Sequence, residues 1–250
     1  MLDSTGVAHA LWEPEAGFVY AKAGTLATIA QLQREGGVVR YGNVRTDPQE
    51  HPTLDGSPLQ ADLIVMACGA WMSELFPRTL RRHLEVVRQN VIMVAPPAGD
   101  KRYSHTDFPC WIDHGSGAYG IPAAGGFGFK AVLVWKQLVI DLARDDRIVD
   151  ATSIARTRRY VSTRFPGLAD QPISAMAVGQ IANTVDTHFL IDRHPVHDHV
   201  VLVAGDSGHL FKHGPVVGEY VAGLALGRHD TDARFRLRER STVGDASRPQ

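Results

Sequence analysis

The residues from Val200 to Pro215 hold the chain's densest set of groups with chemical potential: Val200-Val201-Leu202-Val203-Ala204, then Gly205-Asp206-Ser207-Gly208-His209-Leu210-Phe211-Lys212-His213-Gly214-Pro215. Five apolar, mostly β-branched residues predict a buried strand, too short and too branched for a helix. Gly205, Ser207 and Gly208 break it. Pro215 suits the first turn of a helix, and Val216, Val217, Tyr220, Val221 and Leu224 recur at helical spacing up to a stop at Gly227. Such a strand, turn and helix N-terminus direct backbone N–H groups toward negative charge. A turn that serves packing alone has the same outline, so both readings stand at this level.

Two other patterns invite chemistry and are set aside. Gly115-Ser116-Gly117-Ala118-Tyr119-Gly120 satisfies the letters G-x-G-x-x-G. That fingerprint needs a buried strand before it and a helix after it. Here Asp113-His114 precedes and Ile121-Pro122 follows, so a hairpin turn is predicted instead. His194, His197 and His199 could suggest a metal, with 197 and 199 on one face of a strand. They stand in a proline-containing turn with no Cys or Glu beside them, and no metal site is predicted.

The elements that must position these groups are those of an ordinary folded protein. The 250 residues are 44% apolar and 21% charged, with a formal net charge of −1, enough chain for one large domain or two small ones. That charge argues against nucleic-acid binding by counterion release, and no basic run suggests a membrane surface. Cys68 and Cys110 have no metal-ligand spacing and make no disulfide framework. No apolar stretch approaches about 18 residues and no signal pattern opens the chain, so a cytoplasmic protein is expected.

In chain order, Gly17-Phe18-Val19-Tyr20 could enter a strand. A helix beginning near Gly24-Thr25 carries Leu26, Ile29, Ala30 and Gln33 on one face and stops at Gly36-Gly37. Val38 to Tyr41 is predicted as a strand, Asp55-Gly56 as a tight turn, and Leu63 to Ala67 as a second buried strand closing on Cys68-Gly69-Ala70-Trp71. Val86–Gln89 and Val91–Val94 suggest a strand, and short strands recur around Trp111, Tyr119 and Phe129–Trp135. A helix from Ile154 to Arg164, with Tyr160 and Val161 inward, is stopped by Phe165-Pro166-Gly167. Strands in sequence followed by a helix predict an antiparallel sheet, and the chain as a whole is expected to be α+β.

The phrase Thr184-Val185-Asp186-Thr187-His188-Phe189-Leu190-Ile191-Asp192, then His194-Pro195, the strand, Gly205-x-Ser207-Gly208-His209-x-Phe211-Lys212 and Gly218-Glu219 resembles the C-terminal part of FAD-dependent oxidases of the D-amino acid oxidase superfamily. The branch it resembles is that of sarcosine oxidase and N-methyltryptophan oxidase. The resemblance implies an α/β FAD-binding-type layer over residues 1–83 and 183–230, an antiparallel substrate domain over 84–182, and a disordered tail over 231–250. It implies non-covalent FAD and a small amine or amino-acid substrate, with no nucleic-acid or membrane partner. A C–H beside nitrogen would give a hydride to flavin N5, with oxygen as acceptor.

Residue by residue, the resemblance places Val44 at the adenine and Ala67, Cys68, Gly69 and Trp71 along the cofactor. Gly205, Ser207, Gly208, His209, Phe211 and Lys212 fall at the flavin, where the following helix points its positive end at the pyrimidine edge. Lys130 matches a lysine that promotes reaction with oxygen, and Lys212 one that binds the substrate carboxylate. His209 would act beside the flavin edge. By residue type alone, Lys130 and Lys212 read equally as solvated lysines and His209 as a satisfied core histidine.

This sequence also departs from the family's pattern. Gly179 stands where the flavin-linking cysteine would, Ile181 replaces an aromatic, Val134 replaces a histidine, and Leu210 replaces a glycine of the flavin turn. No fingerprint occurs outside Gly115–Gly120, so the FAD/NAD(P)-binding fold is expected to be incomplete. Either the reading frame is truncated or a second polypeptide supplies the missing nucleotide-binding unit. The rival expectation is a non-catalytic remnant or interaction module that keeps the fold without binding FAD.

Overall fold

A computed structural model describes residues 2–134, 138–237 and 242–243. In chain order it contains helix α1 (Ala21–Arg34), strands β1 (Val44–Thr46), β2 (Pro52–Leu54), β3 (Ser57–Pro58) and β4 (Ile64–Met66), and the short helix α2 (Met72–Leu75). Next come β5 (Glu85–Val94), β6 (Trp111–Asp113), β7 (Ala118–Ile121), β8 (Phe129–Leu133) and β9 (Leu138–Val139). Helix α3 (Ala151–Arg164), strands β10 (Ile173–Asn183), β11 (Leu190–Arg193) and β12 (Val200–Ala204), and helix α4 (Gly214–Ala225) complete the order. The chain is α+β. It divides into two compact units, one of residues Met1–Phe18, Arg88–Leu138 and Arg144–Gly179, the other of Val19–Val87, Val139–Ala143 and Gln180–Gln250.

The first unit holds most of a sheet in the order β10-β5-β8-β7-β6, with β9 beside β5, antiparallel across β5, β8, β7 and β6. The Gly115–Gly120 segment forms the β6–β7 hairpin, in which Trp111 pairs with Gly120 and Asp113 with Ala118. One sheet face packs Val94, Phe129 and Ala131 against Val161, Phe165 and Leu168, with Trp111 and Tyr160 at the border. Phe129 and Phe165 meet edge to face at 4.8 Å, a geometry that adds to their area burial. Asp150 caps α3 by accepting from Ser153 N at 2.8 Å, and Phe165-Pro166 ends it, since proline cannot continue the ladder.

In the second unit β12 lies between β11, to which it is antiparallel, and β4, to which it is parallel. Both faces are covered. Val200, Leu202 and Ala204 join Ile64, Met66, Met72, Phe76 and Leu190, while Val201 and Val203 join Ile191 and the α4 residues Val221 and Leu224. A strand buried on both faces has no reason to alternate, so all five residues of β12 are apolar. The predicted Asp55-Gly56 turn joins β2 to β3 with both residues at positive φ, 51° and 84°, the pairing a tight hairpin favours.

Three local expectations are corrected. Val38 to Tyr41 is not a strand: no strand pairs with it among the described residues, and Tyr41 is 92% exposed. Gly17 to Tyr20 enters no strand either. Helix α1 forms, but none of its residues is buried, so its amphipathic pattern has no core contact among the described residues. Trp135 lies outside the described residues, as do 238–241 and 244–250 of the expected tail. Over 231–237 the chain is packed, with Thr231 Oγ1 donating to Asp192 Oδ1 at 2.9 Å and Leu237 buried. No described helix is long and apolar enough to cross a membrane.

Candidate functional site

Parallel pairing of β4 with β12 puts their carboxyl ends side by side, Met66 opposite Leu202. Two loops leave from there. In α/β sheets this is where ligands meet backbone, because neighbouring strands end together and diverge. From β4 come Ala67, Cys68 and Gly69, then a short 3-10 turn at Gly69–Trp71. Gly69 has φ +57°, and a β-carbon built on it would meet nothing within 4 Å. Trp71 turns inward onto the Ile64–Leu202 cluster, which Val44 and Cys68 also join.

From β12 comes the turn Gly205-Asp206-Ser207-Gly208, with φ of +65° at Gly205, +46° at Ser207 and +78° at Gly208. Its shape is set by hydrogen bonds. Ser207 N donates to Ala182 O at 3.0 Å, Gly208 N to Asp206 Oδ1 at 2.7 Å and His209 N to Asp206 O at 2.9 Å. His209 Nδ1 lies 3.0 Å from Ser207 O. A carbonyl only accepts, so Nδ1 carries a proton in this contact. Phe211 and Lys212 are exposed in a 3-10 turn leading into α4. No side chain caps α4, but the Gly214 N–H donates to Phe211 O of the preceding 3-10 turn and Pro215 has no N–H, so the positive end of α4 acts through its dipole and not through free leading N–H groups. Leu210 packs toward Ile191, Val201 and Val221, so its bulk goes into the core.

The second unit therefore brings together the two expected loops. Val44 shares their apolar cluster. Lys130 belongs to the first unit, on β8, opposite Met93 of β5 and Ile121 of β7. It is half-buried, its Nζ 5.6 Å from the centre of the Tyr119 ring. Burial holds its pKa below the usual lysine value, against the opposing pull of Cys110. Burial likewise pushes the Tyr119 hydroxyl and the Cys110 thiol up. Tyr119 and Cys110 escaped sequence reasoning. The signal for them was register: β6, β7 and β8 form one meander, and Tyr119, opposite Val132, lies two residues from Ile121, the partner of Lys130, and so diagonally from Lys130 on its face. Gly128 serves that meander: at φ +77° its β-carbon would lie 2.8 Å from Val94 O.

Two of the three histidines make buried hydrogen bonds. His194 Nδ1 accepts from Val196 N and His197 N, and its Nε2 lies 3.0 Å from Glu50 Oε2. His197 Nε2 donates to Gln49 O at 2.8 Å. Among the described residues no group of His, Cys, Asp and Glu is placed to hold a metal ion.

Comparison with known proteins gives the family. The chain belongs to the FAD dependent oxidoreductase family (DAO), whose family model matches residues 2–224, and within it to the sarcosine oxidase-like branch. It is 31% identical over 230 residues to monomeric sarcosine oxidase of Streptomyces avermitilis, covering 87% of this chain and 59% of that one. It is 41% identical over 235 residues to L-saccharopine oxidase of Schizosaccharomyces pombe, covering 84% and 51%. Fructosamine oxidase (Amadoriase II) of Aspergillus fumigatus shares the fold, with a TM-score of 0.74, 19% identity, and coverage of 90% of this chain and 60% of that one. The chain thus spans between half and three-fifths of the length of these relatives.

Proposed function

We propose that these 250 residues form the flavin-edge and substrate portion of an FAD-dependent oxidase of an amine or amino acid. A nucleotide-binding segment outside them completes the FAD site. The observation that carries this reading is the pair of open loops at the adjacent carboxyl ends of β4 and β12, facing no side-chain cap at α4. The residues fit the group. A planar ring needs close backbone approach, which Ala67, Gly69 and Gly208 permit. The electron-rich edge of a reduced ring needs positive partial charge, which the first turn of α4 offers.

A flavin held here would supply the chemistry of hydride acceptance from the C–H beside the amine nitrogen, with oxygen as the proposed electron acceptor. Ala67, Cys68, Gly69, Trp71, Gly205, Ser207, Gly208, His209 and Phe211 would hold it, with Val44 at the adenine. Lys212, exposed beside the turn, would pair with a substrate carboxylate. Lys130, a half-buried cation, would stabilise negative charge developing on oxygen next to it. With relatives named for sarcosine and L-saccharopine, the proposed substrate is an amino acid substituted on nitrogen. Gly179 leaves no thiol at the linking position, so the flavin is held without a covalent bond.

The test is Lys212→Ala in the flavin-loaded, complemented protein. A raised KM for N-substituted amino acids, with little change for amines lacking a carboxylate, is expected. An equal effect on both would remove the carboxylate role.

A further inference from the structure

The loop between β1 and β2 is held in a strained shape for one purpose. Asp47 accepts from Gln49 N and His51 N, each at 2.9 Å. This forces Glu50 to φ +70°, a conformation that a residue with a β-carbon resists. The result is that a carboxylate enters the core, with Glu50 only 3% exposed. There Oε1 accepts from Arg78 N and Thr79 N, and Oε2 from Thr79 Oγ1. The remaining contact is His194 Nε2 at 3.0 Å, from the turn that joins β11 to β12.

His194 is 4% exposed, and its tautomer is dictated by its neighbours. Two backbone N–H groups point at Nδ1, from Val196 at 3.2 Å and His197 at 3.1 Å. Nδ1 therefore carries no proton and Nε2–H donates to Glu50. A proton added at Nδ1 would face two N–H donors, so His194 can ionise only if the Pro195–His197 turn opens. Behind it the rings continue as a stack, His197 at 4.6 Å from His194 and His51 at 3.9 Å from His197. Phe76 and Thr79 close the other side. The charged and titratable groups around the stack are Glu50, Asp47, which is 3.1 Å from His51 Nδ1, Asp198 and His199 at the turn, and Arg78 beside Glu50.

We propose that the Glu50–His194 pair is an acid-released latch that fastens the Asp47–His51 loop to the Pro195–His199 turn. Burial holds the His194 imidazole below its ordinary pKa of 6.5, outweighing the pull of Glu50, with His197 and His51 adding to the effect. The open turn therefore binds a proton more readily than the closed one. The latch is secure above the ordinary histidine range and weakens as pH falls through it. Burial alone would raise Glu50, but its hydrogen bonds from Thr79, His194 and the Arg78 and Thr79 amides hold it below 4.5, so it weakens the latch further only in stronger acid. The latch holds the loop that follows Val44, and it stands whether or not Val44 meets a flavin.

Hydrogen exchange of the full 250-residue chain tests it, with rates corrected for intrinsic exchange at about pH 7.5 and about pH 5.5. Opening of segments 47–51 and 195–199 should rise roughly three- to tenfold in acid, tenfold being the ceiling for an open-state imidazole of ordinary pKa. The β12 amides should not follow. In His194→Asn the side-chain oxygen can still receive the two turn amides but cannot titrate, and the pH response should vanish. Equal opening at both pH values in the wild-type chain, or a response that persists in His194→Asn, overturns the latch. Ring-nitrogen shifts of wild-type His194 give a measurement independent of any variant. A neutral Nε2–H tautomer in the closed chain is expected, and an Nδ1–H tautomer overturns the proposal.

Discussion

A β-carbon placed on Gly205 would lie 2.4 Å from Thr184 Cγ2, so the turn after β12 is closed against the segment after β10 with no room for a methyl group. Gly205 also has φ +65°. Gly205→Ala should therefore lower stability by roughly 2–4 kcal/mol, from overpacking and from the left-handed backbone together. Thr184→Ser in the same chain removes the clashing methyl and should recover about 1–2 kcal/mol, leaving the backbone part. Urea unfolding of the two variants checks this. Full recovery, or none, would show that only one of the two constraints operates.

Lys130 is the cation on which reaction with oxygen is proposed to depend. Its pKa is held down by burial, so at neutral pH the folded state carries a charge that the unfolded chain accommodates more easily. The penalty disappears as pH rises through the depressed pKa toward the ordinary lysine value. Lys130→Met keeps much of the length and removes the charge. Thermal unfolding near pH 7 should show a Tm equal to or above that of the parent. In the flavin-loaded, complemented protein, reoxidation by oxygen should slow about a hundred- to a thousandfold, with reduction by substrate nearly unchanged. Reoxidation within a factor of about three of the parent, less than ~1 kcal/mol, would make Lys130 a structural residue.

Any flavin bound should leave on denaturation, because Gly179 offers no thiol and Cys68 and Cys110 stand elsewhere in the sequence. The position itself has room: a β-carbon on Gly179 would lie 3.7 Å from Gln89 O, an ordinary contact. Gly179→Cys should fold with stability within about 1 kcal/mol of the parent, since a strand position tolerates a side chain better than none. A fluorescent flavin band on a denaturing gel of the parent protein would contradict the non-covalent reading.

The parts of this fold that were legible in the sequence are those whose cause is local. The run Val200–Ala204 announces a strand covered on both faces, Asp55-Gly56 announces a hairpin, and Ile121-Pro122 after Gly120 denies the helix that a nucleotide fingerprint needs. What escaped has a distant cause. Val38 to Tyr41 has strand-forming residues, but a strand also needs a partner, and periodicity does not say whether one exists. Glu50 and His194 are 144 residues apart, and neither neighbourhood announces the other. At the site, the turn 205–208 was visible through its glycines. The closeness of Thr184 and the company Lys130 keeps with Tyr119 depend on register.

These residues are proposed to provide the flavin-edge half of an oxidase and to need a nucleotide-binding segment to hold FAD. The most direct measurement is the flavin-to-protein ratio after gel filtration, for the 250-residue chain alone and for the same chain co-expressed with a strand–G-x-G-x-x-G–helix segment of a sarcosine oxidase relative. The pyrophosphate of FAD is held at such a helix N-terminus, so the chain alone should emerge without the yellow flavin band and the complex should retain close to one flavin per chain. Stoichiometric flavin on the chain alone, or a stable complex that carries none, would contradict the account.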